Sequence, residues 1–253
     1  MQRLSPVPFS KLAGKKRTPA SNWQLGILLA CLAGYINAGG FVMVQQYTSH
    51  MTGILSSAAY DGGRGEFALA LSFLGFLTCF VLGAMCTTIL ILCARRYSIH
   101  AQFSIPLLVE ACLLLLIVLL GSFLLGQPSL ANFLIAIFCF LMGLQNALIT
   151  KASTAIVRTT HVTGISTDIG ILLGRLIMGT SDEAESGDQM KVILFLVILI
   201  AFFSGGALGA FLVTKMGVLA LLPLSAVLIA IALPAIVKDV RFVIAYHRRQ
   251  ARA

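Results

Sequence analysis

Six long apolar runs constrain this chain more than any other feature. They cover roughly 23–44, 67–93, 105–125, 131–150, 191–214 and 218–237. Each reaches the length of about 20 residues that a helix needs to cross a hydrocarbon core. Only 11% of the 253 residues are charged, against roughly 25% in an ordinary soluble domain, so the chain cannot coat itself for water. The expected fold class is an all-α integral membrane protein.

The formal charge of +9 sits mainly between the apolar runs and at the two ends. In a soluble protein it would suggest nucleic acid, but here it reads as topology. The chain divides into a basic segment 1–22, a first membrane unit 23–125, a second 131–237 and a basic tail 238–253. Headgroup binding by the tail and a transit role for the first segment are the other readings of those ends. The six cysteines all lie within apolar runs with no CxxC pair, so neither a disulfide framework nor a metal centre is expected. No cofactor motif and no catalytic signature occurs, and an enzyme is not expected.

The chain repeats itself. Asn37-Ala38 followed by Thr48-Ser49-His50-Met51-Thr52-Gly53-Ile54 returns as Asn146-Ala147 followed by Thr159-Thr160-His161-Val162-Thr163-Gly164-Ile165, at offsets of 109 and then 111. Further on, Phe80-Val81-Leu82-Gly83-Ala84 matches Phe203-Ser204-Gly205-Gly206-Ala207, and Ile105-Pro106-Leu107 matches Leu222-Pro223-Leu224. Each unit therefore holds three long runs and one short, polar-interrupted one, at 49–60 and 160–178.

Charge decides whether the short runs cross. With six crossings and the first residues inside, 16 Lys and Arg fall inside and only Arg64 and Lys215 outside. Eight crossings spread the charge and leave Arg175 within a span. Six crossings are expected, as two inverted three-helix repeats, each with a half-helix or re-entrant segment and both ends cytoplasmic. Paired interrupted segments in two inverted halves point to a transport site near the midplane.

The Thr/Ser-His-x-Thr-Gly motifs would place that site. Ser49 and Thr160 are good N-caps for the two short helices. Free helix N-termini favour an anion or a carboxylate, and Gly53 and Gly164 allow close approach. The candidate substrate-binding residues are Asn37, His50, Thr52, Gly53, Asn146, His161, Thr163 and Gly164. Each His either titrates or satisfies a buried bend. Asn37 and Asn146 bond either a solute or the freed backbone of the short segment. Asp168, where the first copy has Ser57, is the proton-coupling candidate, its alternative being a solvated place near the interface. Glu110 is either an interfacial anchor or an intramembrane carboxylate. Asp182, Glu183, Glu185 and Asp188 read as a solvated acidic loop, and Gly75, Cys79, Gly83, Gly205, Gly206 and Gly209 as packing seams.

Gly-Tyr-Ile-Asn-Ala (34–38), His-Met-Thr-Gly (50–53), Gly-Leu-Gln-Asn-Ala (143–147) and Thr-Thr-His-Val-Thr-Gly (159–164) resemble the YoaK-like family of small bacterial membrane proteins, over about 23–240. The resemblance implies about six spans and a bacterial inner membrane, and supplies no activity. Family members often carry Asp at the place of Asn37 and Asn at the place of Ile54. This leaves Asp168 as the main acidic candidate.

The function expected from these residues is secondary transport of a small solute. A passive channel and a non-transporting scaffold or accessory subunit are the alternatives. The partners are the lipid bilayer and an unidentified small solute, without nucleic acid; assembly as a homo-oligomer stays open.

Overall fold

A computed structural model describes residues 19–97, 99, 101–124, 130–153, 160–178 and 182–250. They form α1 (Pro19–Val44), α2 (Met51–Gly63), α3 (Phe67–Arg96), α4 (Ser104–Leu124), α5 (Ala131–Ala152), α6 (Val162–Met178), α7 (Asp182–Met216) and α8 (Leu221–Gln250), with a 3-10 turn at Gly217–Ala220 before α8. No strand occurs among the described residues.

Among the described residues five apolar stretches are long enough to cross a membrane: Asn22–Val44, Phe67–Arg96, Ser104–Gly121, Ala131–Ala152 and Asp188–Phe242. The last takes in most of α7, the 3-10 turn and α8 as far as Phe242, with Gly217 at φ +58° between the helices. The outward faces of the long helices carry Phe67, Leu71, Val81, Leu119, Phe133, Ile193 and Phe203, all exposed. A water-soluble monomer rarely shows so continuous an apolar surface. The chain is an all-helical protein whose apolar helices mark a multi-pass membrane protein.

Two helices are short for a reason visible in their composition. Thr52, Ser56, Ser57 and Asp61 interrupt α2, which ends at Gly62-Gly63 before the left-handed Gly65 at φ +84°. Its 13 residues span about 20 Å, and the 17 of α6 about 25 Å, at about 1.5 Å per residue. Neither is among the helices long and apolar enough to count as a candidate span.

Glycines bring the long helices together backbone to backbone. A Cβ on Gly34 of α1 would strike the Phe202 carbonyl on α7, and one on Gly205 would strike the Cys31 carbonyl. On the other side, a Cβ on Gly143 of α5 would strike the Phe80 carbonyl on α3, and one on Gly83 the Phe140 carbonyl. The contacts thus pair Gly83 with Gly205, one residue from the sequence match, which sets Gly83 beside Gly206. Gly75 meets nothing within 4 Å and lies outside the seam.

Polar side chains reinforce these contacts. The buried Thr87 hydroxyl donates to the Leu144 carbonyl at 2.9 Å, and the Tyr35 hydroxyl to the Ala220 carbonyl at 2.5 Å. α4 packs along α8, and α5 is enclosed on most of its length.

The acidic stretch expected as a loop opens α7 instead, since the helix runs from Asp182. Acidic residues suit a helix N-terminus, where the dipole is positive. Asp188 is buried and faces Lys191 at 3.5 Å and Arg175 at 3.9 Å. The 191–214 run is therefore only part of a longer helix. Likewise α8 continues past 237 to Gln250.

Candidate functional site

Two reversals of the chain build the site. At the end of α1, Gln45 adopts φ 55°, a left-handed conformation that normally favours Gly or Asn. Its N–H bonds the Phe41 carbonyl at 2.8 Å, and its Nε2 lies 3.2 and 3.4 Å from the Phe41 and Val42 carbonyls. The last carbonyls of α1 are thereby satisfied. Tyr47 then stacks on Phe41 with ring centroids 4.3 Å apart. The chain returns alongside α1, where Ser49 donates its N–H and hydroxyl to Oδ1 of Asn37 at 3.2 and 2.9 Å.

The second reversal follows α5 and passes through 154–159, outside the described residues. It ends with the Thr160 hydroxyl donating to Oδ1 of Asn146 at 2.5 Å, while Nδ2 of Asn146 donates to the Met142 carbonyl at 2.7 Å. Both asparagines thus hold the residue that precedes a His.

This explains a correction to the expected caps. Ser49 and Thr160 spend their hydroxyls on the asparagines and do not cap. The N-cap of α2 is His50, which makes no side-chain capping bond. The first helical bonds are Ile54 N–H to His50 and Ile165 N–H to His161, both at 3.0 Å. The N–H groups of 51–53 and 162–164 precede them and have no acceptor within their own helix.

Both helix starts open on one cavity of about 400 Å³, a volume proper to a small-molecule site. Asn37, Ser49, His50 and Thr52 line one part of it, and Thr160, His161, Thr163 and Gly164 the other. Tyr47, Met51, Phe80, Val162 and Phe202 complete the wall. No Asp, Glu, Lys or Arg is among these residues. The polarity comes from imidazoles, hydroxyls, one amide and the helix N-termini.

Six of the eight expected binding residues therefore meet at the cavity wall. Asn146 and Gly53 do not line it. Asn146 lies behind the wall, buried, holding Thr160. Gly53 lies under His50, since a Cβ there would collide with the imidazole, whereas a Cβ on Gly164 would meet nothing within 4 Å. The two copies differ in this respect. Asp168 is on the exposed face of α6 and is not a lining residue. Glu110 is fully buried between helices, its Oε1 accepting from Gln145 Nε2 at 3.0 Å.

Phe80 and Phe202 were not among the expected site residues. Their carbonyls receive Gly143 and Gly34 in the helix seams, so the same contacts that join the helices also deliver two rings to the cavity. Among the described residues no three His, Cys, Asp or Glu side chains gather as a metal site would require.

No curated protein and no solved structure matches the chain. One family does, described as a protein of unknown function, DUF1275, and it covers residues 25–234. With the match extending from α1 into α8 and across both His motifs, the chain belongs to the DUF1275 family.

Proposed function

We propose that this protein is a secondary transporter of a small, anionic solute, bound where the two His-x-Thr-Gly motifs face each other. The observation that carries this reading is the single cavity shared by both copies of the motif. Two helix N-termini, with no Asp or Glu among the lining residues, favour negative charge. Broken helices at membrane depth persist where they line a cavity.

The proposed frame is six crossings in two inverted three-helix repeats. The 55-residue stretch Asp188–Phe242 would extend about 80 Å as one helix, more than twice a core of about 30 Å, and its break at Gly217 suits a return. The seams are reciprocal: Gly34 and Gly143, one from each copy of the motif, meet Phe202 and Phe80. Three crossings per unit place the copies in opposite orientation. The distribution of 16 Lys and Arg against 2 supports an orientation with both ends in the cytoplasm. The resemblance to the YoaK-like proteins supports a bacterial inner membrane.

Thermal melting of the purified chain against small carboxylates and inorganic anions tests the reading, because a ligand of the folded state raises the melting temperature. A stabilising anion that His161→Ala, Thr163→Val loses, while the variant's own melting temperature holds, is the expected result. Equal stabilisation of that double variant would remove the cavity from the function. Uptake into proteoliposomes should saturate; flux that rises without limit would replace the carrier with a channel.

A further inference from the structure

Glu110 lies six residues into α4 and is fully buried. Its neighbour across the interface, Gln145 of α5, is fully buried too. One hydrogen bond joins them, from Gln145 Nε2 to Glu110 Oε1 at 3.0 Å. Two buried atoms remain without a partner, one on each residue: Glu110 Oε2 and Gln145 Oε1.

With Glu110 ionised, both leftover atoms are acceptors and neither can satisfy the other. A carboxylate enclosed among helices with one neutral donor is also a costly arrangement. One hydrogen on Oε2 removes both difficulties. The group becomes neutral, Oε2 becomes a donor, and Gln145 Oε1 is an acceptor for it. Carboxyl and amide then meet through two antiparallel hydrogen bonds.

Among the described residues no other charge pairs with Glu110. The described ion pairs use Arg175, Asp188 and Lys191. On the elements packed against α4, the charges of α3 and α8 gather at the 95–102 end. There Arg95 donates to Gln102 at 2.7 Å and Asp239 accepts from the Ala101 N–H at 2.6 Å. Arg96 ends α3, and Lys238 and Arg241 lie on α8 on either side of Asp239. Glu110 is about 9 Å further along α4 than Ser104. On α5, Lys151 is exposed, about 9 Å beyond Gln145 along the axis, and Cys139 is a buried thiol. The turn 217–220 carries no titratable group.

Packing alone does not call for the pair. In the first copy of the motif the place of Gln145 is taken by Ile36, also fully buried. The amide in the second copy is therefore an addition to the same helical frame.

We propose that Glu110 and Gln145 share one proton and form a proton-binding site inside the membrane part of the protein, apart from the cavity and from Asp168. Gln145 precedes Asn146, which fixes Thr160. Loss of the proton thus acts on the turn of α5 that holds the second His motif. On the transporter reading, on which this last step rests, the coupled ion is a proton.

Infrared difference spectra of the full chain in lipid at neutral pH, wild type minus Glu110→Gln, test the pair. A protonated-carboxyl C=O band that disappears in Glu110→Gln, shifts in deuterium oxide and moves in Gln145→Leu is expected. Carboxylate bands in place of it overturn the proposal. Glu110→Gln keeps both hydrogen bonds through its own amide and should fold. Melting against pH gives a second reading. The folded wild type holds a proton that an ordinary unfolded Glu releases near pH 4.3. Its unfolding constant should therefore rise by up to about tenfold per pH unit above that point, relative to Glu110→Gln, until the folded state also deprotonates. Parallel curves overturn the proposal. Neither measurement uses a solute, so a failed proton pair leaves the cavity reading standing, and a failed cavity leaves the pair.

Discussion

Ser49 gives two hydrogen bonds to a single atom, Oδ1 of Asn37, while Thr160 gives one to Oδ1 of Asn146. These bonds set where each short helix begins, because they fix the residue immediately before each His. Asn37→Leu should strand the Ser49 donors and destabilise the protein by about 1–3 kcal/mol, the cost of an unsatisfied buried polar group. Asn37→Asp keeps an acceptor in the same place and should hold the melting temperature. It should also weaken binding of an anion, since it brings a negative charge to the cavity wall. Melting curves with and without the stabilising anion check both variants.

The seams predict a sharp division among glycines. Gly34→Ala and Gly143→Ala each drive a methyl into a backbone carbonyl of the facing helix, which cannot rotate away as a side chain can. Each should cost at least the 1–3 kcal/mol, roughly, of an overpacked core. Gly75→Ala and Gly174→Ala meet open space and should fall within about 0.5 kcal/mol of wild type. Melting temperature in one detergent ranks all four.

Gly53 and Gly164 hold the same place in the two motifs but should respond differently. Gly53→Ala must displace the His50 ring, and Gly164→Ala fits without adjustment. Loss of anion stabilisation in Gly53→Ala, with the melting temperature of the free protein unchanged, would identify His50 placement as part of binding. If Gly164→Ala proves the more damaging of the two, the proposed arrangement of the cavity is wrong.

Topology is checked by cysteine labelling on a background without the six native cysteines. Gly63→Cys ends α2 beside Arg64, on the side with few basic residues, and should react with a membrane-impermeant reagent in sealed cells. Tyr97→Cys, after Arg95 and Arg96, should react only after the cells are opened. The reverse pattern would invert the proposed orientation.

What could be read from the chain alone divides along a physical line. The His motifs were legible because polar residues recur where lipid penalises them, and six of the eight chosen residues meet at the cavity. The caps were misassigned because a hydroxyl before a helix has two possible acceptors. The bond from the Ser49 N–H to Asn37 is one of the two expected for that amide, but only the fold shows the hydroxyls of Ser49 and Thr160 turned to the asparagines. Phe80 and Phe202 escaped notice because an aromatic in an apolar run is indistinguishable from one facing lipid. Glu110 and Gln145 are 35 residues apart, and their pairing depends on how α4 meets α5, which no local pattern encodes. The acidic residues from Asp182 look like a loop by composition, yet the positive end of a helix accepts them equally well.

Helices joined carbonyl to glycine have no layer of side chains between them to deform. A motion that separated α1 from α7, or α3 from α5, would have to break these contacts. Each couple takes one member from before residue 125 and one from after residue 130. If the cavity opens alternately to its two sides, the parts that swing cannot be the two halves of the sequence. They are the two couples, each crossing the boundary between the halves, and each carries one of the phenylalanines, Phe80 or Phe202, that line the cavity.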